Sequence, residues 1–207
     1  MVKAMVDLSR ILVKATGAEP FLSGEGAGDA LLTRIEEETG LQLPADYASF
    51  LREQGGQPAD SPIVFPPGRL KFLTAEGVLR LWNELREYED EEFFDDEEDG
   101  GRVRAVVYHQ KRLPIAYHEA GTQYIFLDYI PGSKGQEGQL IFNPSEASFF
   151  VLEPTFTGLI ERYVSFVESG RARVAAVSPA MGGGFSFQTS AGEDLDFEKY
   201  RELRGLP

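Results

Sequence analysis

Helical periodicity at both ends of the chain, with strand periodicity between, predicts an α+β fold. An antiparallel β-sheet meander should pack against flanking N- and C-terminal helices. Three observations carry this expectation. Before residue 90, apolar side chains recur every three or four positions. Residues 103–152 break into short β-branched and aromatic stretches separated by turn residues. A long amphipathic stretch follows at 156–168.

From Val2 to Ala15, Met5, Leu8, Ile11, Leu12 and Ala15 form one stripe, with Lys3, Asp7, Arg10 and Lys14 elsewhere. Ser23-Gly24-Glu25-Gly26-Ala27-Gly28 reads as a flexible loop. It follows no strand and lacks the last glycine of a dinucleotide-binding pattern. Asp29 is placed to cap a helix carrying Leu31, Leu32 and Ile35, with Gly40 past its end. Pro44 suits a first helical turn, where its missing N–H costs nothing. Tyr47, Phe50 and Leu51 give that helix its apolar face, and Gly55-Gly56 stops it. Pro58, Pro62, Pro66 and Pro67 predict a loop. Thr74 opens the clearest helix, with Val78, Leu79, Leu81, Trp82 and Leu85 on one face.

Gly100-Gly101 ends the acidic stretch into which that helix runs. Strands are then expected at 103–108, 113–117, 123–129, 139–142 and 149–152. Leu159, Ile160, Tyr163, Val164 and Val167 form the buried side of the last long helix, and Gly170 terminates it. The tail from Ala172 carries a glycine run, a possible strand at 185–188 and a charged helical end at 198–203. It has two readings, a segment packed on the domain or a loose tail. The expected organisation is a domain over 1–171, with an acidic insertion at 87–101, and a C-terminal extension over 172–207.

The 207 residues carry a net charge of −14, with 34 acids and 20 bases. Ten of the acids fall in the thirteen residues from Glu87 to Asp99, and the remainder is close to balanced. With no cysteine there is no disulfide framework and no thiolate chemistry. No apolar run approaches the roughly 18 residues of a membrane span. Asp7, Arg10 and Lys14 interrupt any secretory signal, so a cytoplasmic location away from membranes is expected. The acidity argues against nucleic-acid binding, which depends on neutralising phosphates with Lys and Arg.

Catalytic signatures are scarce. No phosphate loop and no Gly-x-Ser-x-Gly elbow occurs. His109 and His118 flank a turn between two strands, and a hydrolytic zinc site usually needs three protein ligands. No local signature places Ser or Thr beside either histidine. Glu119 and Asp128 lie on adjacent strands and are the one candidate acid–base pair. The plainer reading of them is a solvated turn residue and a strand-end carboxylate.

The acidic run has three readings. It is a solvated, self-repelling loop; or a weak calcium site on Asp95-x-Glu97-x-Asp99-Gly100; or a docking surface for a basic partner. Against calcium, Val106 stands where the loop's twelfth-position glutamate belongs. Phe93 and Phe94, inside the run, are placed to anchor it to its own core or to an interface.

Two stretches resemble the SUKH superfamily, which includes the SMI/KNR cell-wall-assembly regulators. The first is Leu43-Pro44-Ala45-Asp46-Tyr47-Ala48-Ser49-Phe50-Leu51 with Gly55-Gly56. The second is Leu113-Pro114-Ile115-Ala116, Gly121, Phe126-Leu127-Asp128-Tyr129-Ile130-Pro131-Gly132, Gly135 and Gly138-Gln139. The helix with Phe156, Leu159, Ile160, Phe166 and Gly170 also sits where that family places one. Arg112 stands where the family usually has Trp. His118-Glu119-Ala120-Gly121-Thr122-Gln123 replaces its Gly-rich, Asp-containing turn. The resemblance implies a non-enzymatic protein without cofactor or metal. It would be an immunity protein that neutralises a cognate bacterial toxin, with a nuclease as one candidate, by direct binding. A regulatory scaffold is the alternative, and a carboxylate-dependent hydrolase a third reading. For a basic toxin domain as partner, Asp95, Asp96, Glu97, Glu119 and Asp128 are the expected binding face, with Phe93 and Tyr117 as anchors.

Overall fold

Three helices start where a side chain accepts an otherwise unpaired backbone N–H. The computed structural model describes residues 2–17, 26–58, 60–88, 97–106, 108–145, 148–178 and 183–205. In it Thr74 Oγ1 accepts from Gly77 N–H (3.1 Å) at the head of α4 (Ala75–Arg86). Thr155 does the same for α5 (Phe156–Glu168) through Gly158 N–H (3.0 Å). Asp196 caps α6 (Phe197–Arg204) through Lys199 N–H (2.9 Å). The earlier helices are α1 (Val2–Thr16), α2 (Asp29–Thr39) and α3 (Ala45–Gln54). Asp29 does not cap α2. Gly28 takes that position with no side-chain bond, and the Asp29 carboxylate pairs with Arg52 Nε on α3 (2.8 Å).

The main sheet has five strands in the order β1-β4-β5-β6-β7, all antiparallel. They are β1 (Lys71–Phe72), β4 (Arg112–Tyr117), β5 (Tyr124–Asp128), β6 (Gln139–Ser145) and β7 (Ser148–Glu153). A small hairpin of β2 (Glu97–Glu98) and β3 (Val103–Arg104) lies beside β7. Another, of β8 (Ala172–Ala176) and β9 (Phe185–Thr189), follows α5.

The sheet is covered on both faces, which explains why β5 is apolar without alternation. Ile125 and Leu127 join Leu140 and Phe142 in the large core beneath the helices. Tyr124 and Phe126 point the other way and join Ile141, Phe149, Val151 and Val103 in a smaller core. At the centre of the large core Phe156 packs against Phe50, Tyr47 and Phe72, with ring centroids 4.7, 5.1 and 5.6 Å away. All four side chains are essentially inaccessible to water.

Two further expectations change. The strand expected over 103–108 is only Val103–Arg104. Val106 N–H turns back to the Arg104 carbonyl (2.9 Å), and both carbonyls are taken by Arg112, so the ladder cannot continue. The proline-rich stretch ends in β1, a strand too short to leave a pattern.

The C-terminal extension packs on the rest of the chain. Ala172, Phe187, Leu195 and Tyr200 belong to the same core as α5 and the sheet. Phe197 stacks on Phe150 of β7, with centroids 4.4 Å apart. Arg204 bonds Glu153 (3.2 Å) and the Val151 carbonyl (2.8 Å).

Candidate binding surface

The end of the acidic run is built into the sheet. Asp99, Gly100 and Gly101 take positive φ in succession (51°, 69° and 91°), turning β2 into β3. Only glycine adopts such angles freely, which accounts for the Gly-Gly pair. The turn brings two carboxylates to the outer edge of β7. Glu98 Oε2 accepts from Phe149 N–H (2.5 Å), and Asp99 Oδ2 accepts from Val151 N–H (2.8 Å). These N–H groups would otherwise form an open edge able to pair with another chain. Asp99 also holds Arg102 (2.6 Å).

The expected binding residues separate into three groups. Phe93, Asp95 and Asp96 lie outside the described residues. Glu97 and Glu119 are exposed, yet each has an internal partner. Glu97 accepts from the Ser133 N–H (2.5 Å) and Oγ (2.8 Å). These two bonds, aided by Arg104 and Lys134, hold its carboxyl below the usual glutamate range. Glu119 bonds Lys71 Nζ (2.5 Å), which lowers its carboxyl as well. Tyr117, on β4, is half-buried and packs against both cores.

Asp128 corrects the expectation of a binding face that includes it. Its side chain is 0% exposed and receives Arg112 Nε (3.4 Å), Gln139 Nε2 (3.1 Å) and Ile130 N–H (3.2 Å). It therefore faces Arg112 and Gln139 rather than Glu119, and the two make no acid–base pair. Arg112 is as deeply buried as Asp128. It donates to the Val106 and Arg104 carbonyls and lies over the Phe149 ring, 4.3 Å from its centroid. Burial pulls its guanidinium below the ordinary arginine range, and Asp128 opposes that pull. The residue at the family's Trp position is thus a structural cation.

The sequence reading missed a groove formed jointly by the proline-rich loop, the β4–β5 turn and the C-terminal extension. Two adjoining recesses of about 270 and 460 Å³ share Val64, Arg69 and His118. Phe65, Phe187 and Leu195, all buried, floor the first. Asp194 accepts from Ser186 Oγ (2.6 Å) and from Arg69 (3.1 Å). Arg69 holds φ of 61°, a left-handed conformation uncommon for a side chain of its size. Gln123 Oε1 is buried with no hydrogen-bond partner. The one signal in the sequence was the turn-forming run Pro66-Pro67-Gly68. Ser186, on β9, and Asp194, just after it, lie more than a hundred residues away, beyond the reach of local pattern.

The groove does not form a catalytic triad. Ser186 donates straight to Asp194, and His118 Nδ1 accepts from Ala120 N–H (3.1 Å). His109 Nδ1 is used likewise, by Lys111 N–H (3.0 Å). Glu97 and Asp99 face separate donors and do not converge on a calcium position. Among the described residues, no group of three or more His, Asp or Glu side chains is gathered as a metal site. Among them too, no helix is long and apolar enough to cross a membrane.

Helices packed around an antiparallel meander define an α+β protein. Within that class the chain belongs to the SMI1 / KNR4 family (SUKH-1), which matches residues 26–162. Membership supports an immunity or regulatory role at the level of the family. The chain is also similar to F-box only protein 3 from Bos taurus, 27% identical over 176 residues. That alignment covers 81% of this chain and 34% of the relative. The Homo sapiens protein of the same name is 28% identical over 174 residues, with the same coverage. The chain thus spans about a third of the length of these relatives.

Proposed function

We propose that this protein is a non-enzymatic, cytoplasmic immunity protein that neutralises a basic toxin domain by direct binding. The observation that carries the reading is the acidic run with its end pinned to β7 by Glu98 and Asp99. Pinning fixes where the C-terminal end of the acidic run meets the sheet. A concentrated negative charge steers a basic partner and raises its association rate by about 10–1000-fold at low salt. The family's immunity role supports the same reading. The family's regulatory role favours a second reading, a regulatory interaction scaffold.

The partner is first captured from the native host and named by mass spectrometry. Association is then timed against ionic strength for the natural chain and for a variant with the carboxylates of 87–96 changed to Ser. Glu98 and Asp99 are kept, because they hold the sheet. The variant should associate about tenfold more slowly at low salt, and the two curves should converge at high salt. Equal rates at every salt concentration would refute docking through this run.

A further inference from the structure

We propose that the groove beside Gln123 is a recognition pocket for one arginine side chain of a protein partner. The proposal rests on the reading of the chain as a protein-binding module, and it names the surface that reads a single residue. The recess that Gln123 lines, about 270 Å³, falls below the roughly 300 Å³ at which drug-sized pockets begin, yet is roomy for one long side chain. Its two halves differ in the way an arginine does. The floor of Phe65, Phe187 and Leu195 suits a methylene stem, while the rim is polar.

Charge selects a cation. Asp60, Glu119, Asp194 and Asp196 line the combined groove against Arg69 and Lys71. The balance stays negative even when Lys199 is counted, which bonds Asp196 from outside the lining (2.9 Å). Acceptors select a guanidinium over an ammonium. A guanidinium brings five N–H donors in a planar fork, and an ammonium brings three on one point. The Gln123 amide oxygen, left without a donor on a side chain that lines the first recess, is the acceptor in want of one. Buried polar atoms are nearly always bonded, so an orphan here marks a contact that an occupant completes. Arg69 and Ser186 both hold Asp194 in place, so the rim is formed before anything binds.

The test uses the isotopically labelled full chain and N-acetyl-arginine methylamide as probe, followed by amide chemical shifts. The neutral citrulline analogue and the lysine analogue are the comparisons. Millimolar binding is expected, with shifts confined to Gly68, Arg69, Gln123, Ser186 and Leu195. Citrulline and lysine should bind at least about tenfold more weakly. Gln123→Leu should weaken the arginine probe by a similar factor while leaving distant shifts in place. Scattered or absent shifts, equal binding of citrulline or lysine, or a Gln123→Leu variant that binds as well as the natural chain would each overturn the proposal. The probe requires no toxin. Failure here leaves the proposed function standing, and salt-independent association would leave the groove standing.

Discussion

Removing the Asp128 carboxylate should destabilise the protein far more than removing any acid on its surface. Asp128→Ala leaves the Arg112 guanidinium, whose side chain is 1% exposed, without its counter-ion. It also takes an acceptor from Gln139 Nε2 and from Ile130 N–H. Water cannot reach the gap to compensate. Breaking one side of a buried pair typically costs about 3–5 kcal/mol. For a chain of this size, each kcal/mol lowers Tm by about 2–4 °C, so a fall of about 6–20 °C is expected. Urea unfolding followed by circular dichroism measures the cost directly, as a lower midpoint with an unchanged slope. Glu119→Gln is the internal control. Its carboxylate is 64% exposed, and glutamine keeps an acceptor oxygen for Lys71, so at most about 1 kcal/mol should be lost. If Asp128→Ala cost no more than Glu119→Gln, Arg112 would not be a buried cation dependent on that carboxylate.

Two other perturbations probe the surface. Glu98→Ala with Asp99→Ala uncovers Phe149 N–H and Val151 N–H on the edge of β7; stability should fall by about 1–3 kcal/mol. The opened edge should make the variant self-associate, which sedimentation velocity at rising concentration will detect. Glu97 and Glu119 both titrate below ordinary glutamate, so the stability they contribute is present above the unfolded-state value and is lost as pH falls through the folded one. Carboxyl-carbon titration by NMR should show Ser133→Ala raising Glu97 and Lys71→Met raising Glu119, each toward the ordinary range.

Much of the fold was legible because its signals are local. The α4 stripe, the Thr74 cap and the glycine stops depend on neighbours within one or two turns. The meander was legible because turn residues separate its strands. β8 was not, since Ala-Arg-Val-Ala-Ala has little strand preference and owes its conformation to pairing with β9. Asp128 was read as a surface acid because carboxylates are seldom buried without a partner. Its partner, Arg112, sits sixteen residues earlier, and only the β4–β5 register sets Arg112 opposite Asp128. Glu98 and Asp99 read as two more charges in a run of ten, although their contact is with a strand fifty residues further on. The groove is the extreme case, assembled from three segments that share no sequence pattern.

The packing of the C-terminal extension bears on how the chain melts. Phe187, Leu195 and Tyr200 complete a core begun by residues of the family match, and Arg204 fastens α6 to β7. Lifting the extension away would uncover Phe65, Phe142 and Phe166 at once. Such a state has lost much of its apolar burial and keeps little to stop the sheet from following. The cooperative unit is therefore larger than the inherited one. A chain ended at residue 162 would keep the family's sequence match, cut α5 in half and lose the cover over Phe65 and Phe142.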